Sequence, residues 1–355
     1  MIYLIDLEYV ETRYTAQWKT ELPQAIADAN DTSVTIIEGS YIEQDVSSGT
    51  FLDFSATNIY KSQQVQKIAE LFKNGDVKDG DHFLFTDAWH PGIINLKYMA
   101  ELQNIKIITH GLWHAGSYDP QDFLGRMIGN KRWVRNTEYA MFDAFDKNYF
   151  ASQFHIGLFA QEMFNDPEQQ SYLQSKIVRT GWPFEYLGNT IQNDTIGVEK
   201  DNLILFPHRN APEKQLEIFK DLQYMMPEYD FINCAEYDLK KQDYHKLLGQ
   251  AKIVFSANLQ ETLGISCYEI LLAGGYPLVP DRLSYSEMYD SEFKYPSEWT
   301  LSYDDYQSNK QAMIDRIKYI MENFNSNELR SAAEENTKKL TEQYFSASNL
   351  YQELK

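Results

Sequence analysis

Apolar residues in the first half of the chain gather into short β-rich runs, "MIYLIDL", "SVTIIEG", "HFLFTDA", "IKIITHG" and "NYFASQ". Longer segments such as "SQQVQKIAELFKNG" separate them. Short runs of apolar, β-branched and aromatic residues predict strands, and the segments between them carry a helical pattern. The second half repeats the alternation, with "NLILFPH", "YDFINCAE", "KIVFSAN" and "YPLVPD" as strands and "EKQLEIFKDLQYMM" and "DYHKLLGQA" as helices. Strands alternating with helices predict parallel sheets with crossover helices, so the pattern gives two α/β layers in series. Between them, "IVRTGWPFEYLGNTIQNDTIGVEKD" gathers Gly181, Pro183, Gly188 and several Asn and Asp residues, which marks a linker near 180–200. The predicted organisation is a first domain over 1–185, a second over 186–335, and a charged helical tail over 336–355 that returns to the first domain.

Length supports this division, since 355 residues exceed what one ordinary core organises, and two domains imply a cleft. Hydrophobic residues at 43% and charged residues at 24% place the chain among globular proteins rather than disordered ones. The start has no basic leader region, and no apolar window reaches the length of a membrane span, so a cytoplasmic protein is expected. Cys234 and Cys267 lack the spacing of a disulfide framework or a zinc site and read as small buried apolar residues. The net charge of -20 repels polyanions at long range and excludes a generally basic nucleic-acid binder. One local tract departs from it: "GRMIGNKRWVR" sets Arg126, Lys131, Arg132 and Arg135 around Trp133. It reads either as a solvated helix face with one aromatic core anchor or as a surface facing an acceptor.

Candidate chemistry falls at strand ends, where open parallel sheets bind ligands. After the strand at 202–206, "PHRNAPEKQ" offers Arg209 and Lys214 to one anionic group such as a diphosphate. Cations near a helix start are mildly unfavourable on dipole grounds, which favours a ligand role over a surface pair. After "KIVFSA", Glu261 stands before the helical "GISCYEILLAGG" and Glu269 lies within it, eight positions on. Gly264 lets backbone amides approach an anion or sugar, and buried carboxylates need hydroxyl-rich partners to offset their desolvation. A plainer reading takes Glu261 as a dipole-stabilised residue and Glu269 as unrelated to it. In the first half, "FLFTDAWHPG" puts Asp87 and His90 at one strand end, and "THGLWHAGSYD" puts His110 and His114 at another. Their spacing does not fix a third metal ligand.

Arg209, Lys214, Glu261, Gly264, Glu269 and the Gly-Gly-x-Pro segment at 274–277 together resemble the donor half of GT-B glycosyltransferases of the retaining family-4 class, over 202–290. The resemblance implies two Rossmann-like domains, a cleft and a returning C-terminal helix. It implies a hexosyl- or pentosyltransferase that is metal-independent, has no cofactor beyond a UDP- or GDP-sugar co-substrate, and needs no membrane. Arg209 and Lys214 would hold the diphosphate, Glu261 would face the transferred sugar with Gly264 and Ile265 beside it, and Glu269 would bind the ribose. By the same resemblance His110 would contact the donor sugar. The residues Asn233 to Tyr237 are candidates for reading the nucleobase.

The glycine-rich loop usual after the first strand is absent, and Arg13 or Thr15 would take its contacts. The first half, through "VETRYT", "TNIYKSQQV" and "FTDAWHPGIINLKYM", is similar to T4-like phage glycosyltransferases, and "PHR" with "YPLVPDRLSYSEMY" is similar to the queuosine mannosyltransferase of transfer RNA. Both relatives imply a modified base as acceptor, with 5-hydroxymethylcytosine in phage DNA as the expectation. His90, His114, Trp113, Arg132 and Arg135 are the acceptor-side candidates, and Trp89, Trp113 and Trp133 the stacking ones. A carbohydrate, lipid-linked or tRNA acceptor, and a noncatalytic nucleotide-sugar binder, are the alternatives.

Overall fold

Strand-forming runs in the first half become β1 (Ile2–Ile5), β2 (Val34–Ile37), β3 (His82–Phe85), β4 (Ile108–Leu112), β5 (Lys147–Phe150) and β6 (Ile177–Arg179). All are parallel, in the order β2-β1-β3-β4-β5-β6. β1 and β3 are buried along their whole length, as a sheet covered by helices on both faces requires, and β2 at the edge is half exposed. The helix Phe54–Asn74 begins where Asp53 accepts from the amides of Ser55 and Ala56, and it stops at Gly75 in the left-handed region. Trp113, Phe142, Phe150 and Phe159 form an aromatic core, with Trp113 stacked on Phe150 at 6.0 Å.

The second half supplies β7 (Leu203–Phe206), β8 (Asp230–Asn233), β9 (Ile253–Phe255), β10 (Tyr276–Pro280) and β11 (Lys294–Tyr295), parallel in the order β11-β10-β9-β7-β8. The chain leaves β7 toward β8 and then returns past β7 to β9, so the strand order reverses between β7 and β9. The equivalent reversal in the first sheet lies between β1 and β3. A reversal sends neighbouring loops to opposite faces and opens a crevice at the carboxyl ends of the strands.

This computed structural model describes residues 1–10, 13–41, 53–163 and 167–355. Glu11 and Thr12 of the "VETRYT" stretch lie outside them. The chain divides into Met1–Pro183 with Ala347–Lys355, and Phe184–Ser346. The segment read as a linker holds the end of β6 and a helix, Leu187–Asp194, which buries Leu187 and Ile191 in the second unit. The tail is two helices rather than one: Asn327–Gln343 belongs to the second unit, and Ser348–Glu353 to the first. There Asn349 donates to the Arg179 carbonyl at 3.0 Å, and Lys147 pairs with Glu353 at 3.2 Å. Among the described residues no helix is long and apolar enough to cross a membrane.

Candidate functional site

At the reversal point of the second sheet, the loops after β7 and β9 lie side by side and are tied to each other. Gln215 follows the short turn Pro212–Lys214 with φ at 53°, an unfavourable conformation for a side chain with a Cβ. Its amide nitrogen donates to the carbonyls of Ala257 at 2.6 Å and Thr300 at 2.7 Å, which holds it there. Arg282, beyond β10, donates to Ala257 at 2.7 Å and to Asn258 at 2.8 Å, so the β9 loop is pinned from both sides. Sequence reasoning missed both pinning residues. Nothing in a lone Gln, or in an Arg after "VPD", signals a side chain spent on backbone carbonyls.

Within this frame Lys214 and Glu261 meet, while Arg209 and Glu269 pair with other residues. Lys214 is buried and donates to the Gln260 carbonyl at 2.6 Å, with its ammonium 3.4 Å from Glu261 Oε2. Glu261 Oε1 accepts from the amides of Thr262 at 3.1 Å and Leu263 at 3.4 Å, and Asn258 donates to Oε2 at 3.3 Å. Burial pushes the Glu261 carboxyl up, but the Lys214 charge and the backbone donors override it, so the group sits below the usual carboxylate range. Arg209 donates to Glu213 at 2.7 Å, and that contact likewise overrides burial and holds Glu213 ionised. His208, between strand and turn, is driven by burial down to about 3 and is neutral.

Gly264 opens the helix Ile265–Leu272 at φ 71°, and a Cβ there would meet the Tyr285 ring at 2.6 Å. A glycine is therefore required twice over, by conformation and by space. Ile265 is the first residue of that helix and is half-buried. Glu269, in the second turn, is buried against Lys241 at 2.7 Å and Tyr244 at 3.0 Å. Lys241 outweighs burial and keeps its carboxyl below the usual range. Asn233 caps the turn Cys234–Glu236 and donates to Asn210, linking the β8 loop to the β7 loop, while Tyr237 is exposed.

The first unit corrects several expectations. β4 runs on to Leu112, so His110 is not at a strand end. It is fully buried between His82 at 2.9 Å and the Tyr149 hydroxyl at 2.8 Å, and burial drives it down to about 3. Placed there, it cannot touch a donor sugar. Trp113 is equally buried and donates to Asn148 at 2.7 Å. His90 is buried as well, accepting from the Gly92 amide at 3.0 Å and facing Gln64 at 3.1 Å. Neither Trp113 nor His90 is available to an acceptor.

Conversely, Trp133 is 58% exposed and is no core anchor; Val134 beside it takes that place. Arg132 is exposed, and Arg135 pairs with Glu162 at 3.0 Å. His114 lines a cavity of about 280 Å³, together with Tyr14, Phe54, Asp87 and Trp89. Among the described residues, no three His, Cys, Asp or Glu side chains converge to hold a metal ion.

No protein-family model matches the chain. Solved structures do. The UDP-forming α,α-trehalose-phosphate synthase of Burkholderia vietnamiensis superposes with a TM-score of 0.63 at 11% identity, over 99% of this chain and 98% of that one. Alr3699/HepE of Anabaena, solved in complex with UDP, gives 0.57 at 11% over 99% and 98%. WaaG, a glycosyltransferase involved in lipopolysaccharide biosynthesis, gives 0.57 at 13% over the same shares. The two parallel sheets with their interleaved helices are thus the GT-B fold of two Rossmann-like domains.

Proposed function

We propose that the protein is a GT-B glycosyltransferase that moves a sugar from a nucleotide-sugar donor, held by the second unit, to an acceptor hydroxyl. The observation that carries this reading is the Lys214–Glu261 pair, fixed at the point where the strand order of the second sheet reverses. Lys214 and Arg209 supply positive charge to the departing diphosphate, and a preorganised cation is worth most where water is excluded. With these two cations in that role, the reaction requires no metal ion. Glu261, ionised and aimed by two backbone amides, orients the sugar. Glu269 keeps a second lone pair on each oxygen beyond Lys241 and Tyr244, which suits the ribose diol. UDP bound to a structural neighbour makes a UDP-sugar the first donor to try, with GDP-sugars in parallel. Retention of configuration and a 5-hydroxymethylcytosine acceptor in phage DNA are the finer parts of the proposal, supported by the sequence resemblance.

The test is release of nucleoside diphosphate from a panel of UDP- and GDP-sugars, with and without DNA containing 5-hydroxymethylcytosine. Release that rises sharply with the modified DNA is the expected outcome. Release indifferent to DNA would sink the DNA acceptor and leave the donor site standing.

A further inference from the structure

The second unit carries a larger cavity, of about 860 Å³, within the size range of small-molecule sites. Lys200 reaches it just before β7, and Gly274 and Gly275 just before β10, so it lies at the opposite end of the strands from the Lys214–Glu261 pair. The four residues of β7 alone put about 13 Å between the two ends. One wall is the helix Asn327–Gln343, which presents Arg330, Ala333, Glu334, Thr337 and Lys338, spaced as a single helix face. Leu272 and Phe324 supply apolar surface, and Asn189 of the helix Leu187–Asp194 a polar group.

Three cations reach this cavity, Lys200, Arg330 and Lys338, and among the described residues none of them makes an ion pair. On a chain with 52 acidic residues against 32 basic ones, such a group is not what chance pairing leaves. Lys200 spends two of its three donors on the carbonyls of Leu248 at 3.0 Å and Ala251 at 2.8 Å, which fixes the amine at the cavity wall. Burial, with no carboxylate beside it, pulls that amine down to about 7, and an anion close by would favour its charged form. Arg330 donates to the Asn325 side chain at 2.6 Å, a neutral partner that orients the guanidinium and leaves its other donors to a ligand. Its charge acts on the Tyr276 hydroxyl, at the start of β10, which donates to the Phe324 carbonyl at 2.8 Å. Helix capping accounts for Lys200, at the carbonyl end of the helix Lys241–Gln250, but not for two further cations on another helix.

We propose that this cavity binds a phosphate monoester with a hydroxylated body, of the size of a sugar phosphate or a nucleoside monophosphate. The phosphate lies against Lys200 and Arg330, where the guanidinium offers two parallel donors. The hydroxyls meet Asn189 and Glu334, and Lys338 keeps the far end of the wall positive. This site is separate from the donor site and stands whether or not the protein transfers a sugar.

Calorimetry on the full chain measures binding of ribose 5-phosphate, with ribose as the neutral control and adenosine 5′-monophosphate beside them. Both phosphates are expected to bind and ribose is not, and the tighter of the two tells a free sugar phosphate from a nucleotide. Arg330→Ala, at an exposed position with a neutral partner, is expected to weaken ribose 5-phosphate binding about tenfold or more. Lys200→Met is expected to do the same, but it also uncaps a helix, so the decision rests on Arg330→Ala. Lys214→Met, in the donor site, is expected to leave this binding unchanged. No binding of ribose 5-phosphate by the native chain, equal binding of ribose, undiminished binding by Arg330→Ala, or loss in Lys214→Met overturns the proposal. Binding of ribose 5-phosphate in the predicted way by a chain that binds neither UDP nor GDP would keep this site and sink the donor-site reading.

Discussion

Lys214 and Glu261 act as one charge system. Lys214→Met would remove the nearest cation from the diphosphate and leave Glu261 buried without the charge that holds its carboxyl down. Turnover should fall by about 100-fold or more, and the acid limb of the rate profile should move to higher pH. A Lys214→Met enzyme with near-native kcat and an unmoved acid limb would remove both the Lys214 cation and the ionised Glu261 from the mechanism. Asp6 gives a second, separate test. Burial, ahead of the opposing hydrogen bond from Tyr60 and the charge of Lys19, pushes its carboxyl up to about 7. The folded state therefore holds this proton more tightly than the unfolded state, and stability is lost as pH rises from about 4 through 7. Asp6→Asn should accordingly gain on the native chain between pH 5 and 8, on the order of a few kcal/mol by urea titration. Residues of this kind explain what the sequence made legible. Arg209, Lys214 and Glu261 follow strands whose ends were readable, and the loops after β7 and β9 bring Lys214 and Glu261 to 3.4 Å, whereas Arg209 pairs with Glu213 and Glu269 lies in the next helix, on Lys241. His110 was misplaced because β4 continues two residues past it, pairing it with β3 at Leu84 and turning it inward.

Strands were legible where they are apolar and buried. β9 is read from only three residues because all three are buried and apolar, whereas the three-residue β6 is partly exposed and ends on Arg179, and β11 holds two residues and carries no period of its own. β6 also abuts Gly181 and Pro183, whose turn chemistry hid it. The tail read as one helix because its charge pattern is continuous, yet the chain breaks at Tyr344 to bury Phe345, stacked on Tyr268 at 3.9 Å. Tertiary packing outweighed helix propensity there. The helix Ile265–Leu272 offers the sharpest prediction at this scale. Gly264→Ala puts a side chain in the left-handed region and a methyl 2.6 Å from the Tyr285 ring, which is fully buried and cannot yield. Stability should drop by about 2–3 kcal/mol. The backbone amides that orient Glu261 should shift with it, so UDP affinity should fall as well. Denaturant titration and calorimetry on one preparation read both. An Ala variant that keeps native stability and native UDP affinity would show that the loop tolerates what its φ and its neighbour forbid.

At the scale of the whole chain, the first unit is completed by residues that come last in sequence. Ser348–Glu353 packs on Tyr14–Asn30 and on β6 and buries Leu350 and Tyr351, and Leu354 just after it is buried as well. Removing 347–355 would expose that apolar surface, at a cost of roughly 5 kcal/mol by area transfer. A typical domain has only about 5–15 kcal/mol to lose. The second unit, Phe184–Ser346, keeps all of its own residues in this truncation. Five of the six tryptophans, all but Trp299, lie in the first unit, so intrinsic fluorescence follows its unfolding almost alone. The truncated chain should show an early fluorescence transition at reduced temperature or denaturant, and it should still bind UDP through the Lys214–Glu261 site. Loss of UDP binding together with the first unit would instead mean that the donor site depends on more of the chain than the loops after β7 and β9, and the assignment of the donor to the second unit would have to be withdrawn.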